Sequence, residues 1–157
     1  METSARHHIQ RDFLDPTSFF LHYNDFPKEM RSLAEAIEVF YEQVLQAVAD
    51  SPAQGVCWGG NYDDMITYAP YFEKELLPWL QKAGDVLRSR GKIIDCHCDG
   101  ENIGLMEVIK AARIDVAEAV CPYPMTKVTL GEYYRRWGQN TTIFGGIPAN
   151  ILVAELT

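Results

Sequence analysis

The chain has 157 residues, 47% of them hydrophobic, 11% aromatic and 23% charged, which suits one packed domain and excludes a disordered, collagen-like or low-complexity chain. Lys plus Arg number 14 against 22 Asp plus Glu, and the net charge of -8 opposes a nucleic-acid backbone as partner. No run approaches the ~20 apolar residues of a membrane span, residues 1–10 lack the apolar stretch of a secretory signal, and four cysteines are too few to staple a small secreted domain. A single-domain cytoplasmic protein with free or metal-ligating thiols is expected.

Residues 1–25 read as an irregular segment, too apolar at Phe13, Leu14, Phe19, Phe20, Leu21 and Tyr23 to stay solvated. Asp25-Phe26-Pro27 reads as a helix start, with Asp25 near the N-cap and Pro27 in the first turn. Leu33, Ile37, Phe40, Val44 and Val48 then recur at helical spacing up to about residue 49. Gly55-Val56-Cys57-Trp58 reads as a buried strand running into Gly59-Gly60. A helix follows over about 71–90, with Phe72, Leu76, Trp79, Leu80, Val86 and Leu87 inward and Pro78 kinking it or opening a new first turn. After Gly91, residues 92–97 form the second strand and residues 102–112 a helix. Residues 115–120 form the third strand and 130–137 a short helix. Residues 141–144 form the fourth strand, ending at Gly145-Gly146, and 150–157 read as the beginning of another helix.

Each strand is short, apolar and followed by a helix, the pattern of parallel strands buried on both faces. The polar residues gather just after the strands, in 59–64, 97–102, 121–127 and 145–150. In βα architectures those loops share one edge of the sheet, where active sites are built. Four strand–helix units amount to about half of an eight-stranded barrel, which needs ~250 residues. The alternatives are a compact open sheet or part of a longer barrel.

Asp95-Cys96-His97-Cys98-Asp99-Gly100-Glu101-Asn102 is the densest cluster. Strand alternation puts Asp95, His97 and Asp99 on one side and Cys96 and Cys98 on the other. His97 and Asp99 are suitable zinc ligands that would need a third from another loop. The plainer alternative is a hydrogen-bonded loop histidine, with Asp99 capping the next helix. Cys121 ends the third strand and is either a ligand or a strand terminator. Pro122-Tyr123-Pro124 holds Tyr123 for substrate contact or simply stops the strand. Asn61, Tyr62 and Asp63 follow two glycines and are site candidates against ordinary turn chemistry. The glycines lack phosphate-loop spacing.

The run from Tyr62 through Phe72-x-x-x-x-Leu77-Pro78, Gly91, His97-Cys98-Asp99-Gly100-Glu101-Asn102, the Asp115 strand and Gly145-Gly146-Ile147-Pro148 resembles the uroporphyrinogen decarboxylase superfamily over about residues 26–157. The resemblance implies a (β/α)8 barrel of TIM type, present here as about half a barrel, its second half. It implies one of two activities. A carboxy-lyase would position the acetate groups of a tetrapyrrole without cofactor. A zinc-dependent methyltransferase would take its methyl group from a corrinoid protein and pass it to a small thiol. In the zinc branch His97 matches the histidine of a His-x-Cys pair, while Asp99 stands where that pair has cysteine. The resulting assignments are Tyr62, Asp63 and His97 catalytic, with Asn61, Glu101, Asn102 and Tyr123 on substrate. The resemblance places the later cysteine of the zinc set beyond Thr157, so the metal candidates here are His97 and Asp99, with Cys121 added from its own place at a strand end. Two alternatives stay open: a non-catalytic half-barrel that covers its sheet edges with a partner or a second copy, and a small metal module using Cys96, His97, Cys98 and Cys121.

Overall fold

A computed structural model describes residues 4–147. The 148–157 stretch, with Pro148 and the last expected helix, lies outside the described residues.

Residues 5–25, expected to be irregular, are mostly helical. Ser4 caps α1 (Ala5–His8), which widens into a π-helical turn at Ile9–Phe13. Asp15 accepts hydrogen bonds from the amides of Thr17 (3.0 Å) and Ser18 (3.1 Å), and with Pro16 in the first turn it starts α2 (Pro16–Asp25). Phe19 is buried as expected, but Phe13 and Leu21 are exposed. Asp25 ends α2, and Phe26 rather than Asp25 takes the N-cap position of α3 (Pro27–Asp50).

The inward stripe of α3 is Met30, Ala34, Tyr41, Leu45 and Ala49. Leu33 and Phe40, expected inward, are exposed. Ile37, Val44 and Val48 of the expected stripe are partly buried and pack against the same core, so the helix is rotated rather than reversed where α1, α2 and α5 (Leu77–Ser89) lie on it. Between β1 (Gly55–Cys57) and α5 lie α4 (Ala69–Tyr71) and a π-helical turn at Phe72–Leu76. Pro78 opens a new helix, as expected of a residue with no N–H to give the preceding turn. The chain enters it through the wider π turn, in which the Leu77 amide bonds the Phe72 carbonyl. The remaining elements are β2 (Ile93–His97), α6 (Met106–Ala111), β3 (Val116–Val120), α7 (Leu130–Trp137) and β4 (Thr142–Gly145).

The four strands form one all-parallel sheet in the order β1-β2-β3-β4. Cys57 pairs with Asp95, Asp95 with Val116 and Val116 with Thr142; His97 pairs with Glu118, and Glu118 with Phe144. These rows share one face. The residues between them, Val56, Ile94, Cys96 and Ala117, are buried on the other face in one core with Leu80, Leu87, Met106, Ile109, Tyr133 and Trp137. Among the described residues, the strands are therefore buried on one face rather than on both. Strand burial alternates, and Ile93, Phe144 and Cys57 on the second face are exposed.

Candidate functional site

The loops after the strands meet at the C-terminal edge of the sheet, and carboxylates tie them together. Asp63 accepts from the amides of Met65 (2.8 Å) and Glu101 (3.0 Å). Asp64 accepts from Gly104 (2.8 Å), and Glu101 accepts from its near neighbour Ile103 (3.1 Å) and from Lys127 (2.7 Å). Asn102, fully buried, donates to the carbonyls of Gly100 (2.7 Å) and Cys98 (3.1 Å) and to the Tyr133 hydroxyl (3.3 Å). Asp63, Glu101 and Asn102 thus hold loop to loop. Two glycines permit this crowding: a Cβ at Gly59 would lie 2.4 Å from Cys96 Sγ, and one at Gly100 would lie 2.5 Å from the Tyr62 carbonyl oxygen.

Tyr62 is buried, stacked on His7 at 5.0 Å and edge-on to Phe72 at 4.8 Å, so its ring belongs to the floor beneath the loops. Tyr123 is exposed at the rim. Asn61 is half-buried and its Oδ1 has no partner.

His97 is where the sequence-predicted residues converge. Its Nε2 lies 3.4 Å from Asp99 Oδ2, which confirms that the two share a side, and its Nδ1 bonds the carboxylate of Glu118. Burial alone would lower the His97 pKa. The Glu118 hydrogen bond and the Asp99 charge outweigh it and hold the imidazole above its ordinary value. Asp95, one row below, is pushed up by burial and by the charge of Glu118. Glu118 was absent from the expected site. Its signal was a charged residue inside an apolar parallel strand, where such residues are rare unless paired.

A backbone irregularity places the next candidate. Ala119 adopts φ 59° at a register shift between Glu118 and Val120. The shift returns Val120 to the buried side and leaves Cys121 half-buried, its thiol pushed up by burial and by the nearby Asp99 charge. Among the described residues, no three His, Cys, Asp or Glu side chains converge closely enough to hold a metal. Cys96 and Cys98 are buried on the helix side, away from His97, which leaves no common point for the four-residue metal module.

Unpartnered buried polar atoms gather at this edge: Trp58 Nε1, Asn61 Oδ1, Asp95 Oδ1, Asp99 Oδ1 and Asn102 Oδ1. Buried polar groups are normally satisfied, so such a cluster marks a place where something polar belongs. The charge there is negative. Asp99 and Glu118 find only His97 as an ion-pair partner among the described residues.

No family model matches the chain, and neither does any solved structure. Two curated proteins resemble part of it, the glutamate–tRNA ligases of Dehalococcoides mccartyi strains BAV1 and CBDB1, each 36% identical over 77 residues. The matched stretch covers 48% of this chain and 16% of each ligase, so the likeness is confined to one segment.

Proposed function

We propose that the chain supplies four consecutive strands of a (β/α)8 enzyme resembling the metal-dependent, methyl-transferring branch of the uroporphyrinogen decarboxylase superfamily. His97, Asp99 and Cys121 would be the zinc ligands. The observation that carries this reading is the His97–Asp99 geometry. Zinc–nitrogen and zinc–oxygen bonds of ~2.1 Å at a tetrahedral centre set two ligand atoms about 3.4 Å apart, and His97 Nε2 and Asp99 Oδ2 stand 3.4 Å apart. Glu118 behind Nδ1 fixes the ring orientation as a carboxylate behind a ligating histidine does. The unpartnered Asp99 Oδ1 agrees with a cation at this point, and Cys121, which does not converge with His97 and Asp99 in this structure, would have to move in to complete the set.

Zinc, when bound, supplies a Lewis acid that keeps a substrate thiol as thiolate. The chain's own residues do the rest. Glu118 orients His97, the Asp63–Glu101–Lys127 links set the loop positions, and Trp58 and Tyr62 close the floor against water. The carboxy-lyase branch fits less well. A tetrapyrrole bearing several acetates would meet Asp95, Asp99 and Glu118 with no lysine or arginine paired to them, and like charges in a partly buried site repel strongly. Aminoacylation, named by the two ligases, is not carried over: the likeness covers 16% of each, and the charge of -8 opposes the tRNA backbone.

Zinc titration against a chromophoric chelator tests the reading. One equivalent should bind, His97→Ala should abolish binding, and Asp99→Ala and Cys121→Ala should each weaken it at least tenfold. Zinc retained in His97→Ala would overturn it. A second reading rests on the uncovered sheet face: Ile93, Phe144 and Ile147 are 53%, 64% and 69% exposed, whereas parallel sheets are usually covered on both faces. In that reading a second copy completes the barrel, and sedimentation would show a dimer that Phe144→Asp dissociates.

A further inference from the structure

A cavity of about 260 Å³ lies between α2, α3 and the π turn before α5. It takes no part in the proposed zinc chemistry. Its walls are aromatic: Phe19 and Tyr23 each stand edge-on to Tyr71 at a centroid distance of 5.5 Å. Its charge is opposite to that of the sheet edge. Arg6, Arg31 and Lys74 line it against a single carboxylate, Glu75.

That carboxylate is already occupied. Arg6 Nε reaches it at 2.6 Å, the Tyr23 hydroxyl donates to it at 2.7 Å, and Lys74 stands 3.2 Å away. Arg6 also contacts Glu38 at 3.4 Å. Arg31, exposed at the opening, has no ion pair among the described residues. The second observation is Tyr71. It is 2% exposed and lines the cavity, yet its hydroxyl has no hydrogen-bond partner. Burying an unpaired hydroxyl is costly, and phenylalanine would fill the same space without that cost. Burial keeps the phenol protonated, so it remains a donor whose acceptor is missing.

We propose that this cavity binds a small organic anion, its apolar or aromatic body held among Phe19, Tyr23 and Tyr71 and its carboxylate or phosphate accepting from Tyr71 Oη and pairing with Arg31. Carboxylates and phosphate monoesters share this chemistry, and the probes separate them.

The full chain is titrated with benzoate, phenyl phosphate and benzylamine, followed by calorimetry and backbone amide shifts. Benzoate, phenyl phosphate or both should bind at one site, with shifts centred on α2, the start of α3 and residues 71–75; benzylamine should not. Tyr71→Phe should weaken the anion roughly tenfold, the worth of one hydrogen bond to a charged group, while leaving the ligand-free protein at least as heat-stable. Arg31→Ala, at an exposed position, should weaken it about fivefold without affecting folding. His97→Ala should bind the anion as the parent does, which separates this site from the zinc reading. Binding of benzylamine as strong as that of benzoate, absence of anion binding at millimolar concentration, or an affinity unchanged in both variants would each overturn the proposal.

Discussion

The same four strands present two unlike faces. On one, Val56, Ile94, Cys96 and Ala117 disappear beneath α5, α6 and α7. On the other, Cys57, Asp95, His97, Glu118 and Phe144 stand in rows that are half-buried or exposed among the described residues. The covered face is apolar and finished; the open face mixes apolar residues with a histidine between two acids. A strand alternates its side chains, so one backbone serves both tasks without compromise. Stability should therefore reside on one side and chemistry on the other.

The largest blow to that division would come from Trp137, which is buried and donates its indole N–H to the Met106 carbonyl at 2.9 Å. Trp137→Ala should cost about 3–5 kcal/mol in urea unfolding, and a loss under ~1 kcal/mol would mean the covered face is not the stabilising one. Asn102→Ala comes next, because three donated hydrogen bonds disappear from a buried site. A loss of about 1–3 kcal/mol is expected, without a change at His97 or Asp99 themselves. Ile93→Ala on the open face should change stability by no more than ~0.5 kcal/mol. A larger, concentration-dependent loss would show that a second copy lies on it.

The smallest expected effect is a pH dependence away from both faces. Burial would raise the Glu75 pKa, but the Tyr23 hydroxyl, Lys74 and Arg6 outweigh it and hold the carboxyl below its ordinary value. A depressed folded pKa means the stabilisation is complete above the unfolded value of ~4.3 and disappears as pH falls through the lowered one. Thermal unfolding between pH 6 and 3 should show this slope, reduced in Glu75→Gln. An unchanged slope would assign it to other carboxylates.

The strands and their shared direction were legible because short apolar runs alternate with helical spacing, and that pattern is local. The helix at Pro78 was legible for the same reason. The orientation of α3 was not: Leu33 and Phe40 make as good a stripe as Met30 and Tyr41, and only the helices before it decide between them. Asp15-Pro16 is a helix start of the same kind as the one read at Asp25-Phe26-Pro27, within a stretch taken as irregular. At the sheet edge, the pairing of His97 with Asp99 followed from a spacing of two. Glu118 escaped notice because its partner is 21 residues away. Asp63 and Glu101 were legible as site candidates by their type and place, but not their bonds to amides 38 and 26 residues away, which only the fold brings close.

Those amide-to-carboxylate links have a consequence for how such a scaffold could diversify. Each one joins a side chain to a main-chain N–H, so at Glu101 and Lys127 the bond asks for no particular side chain on the donating residue, whereas at Gly104 a Cβ would lie 2.9 Å from Asp64 Oδ2. The positions at the loop tips, Asn61, Cys121 and Tyr123 among them, are then free to be exchanged while the frame that aims them stays put. A sheet edge wired in this way could be retuned to a new ligand one residue at a time, without first losing its shape.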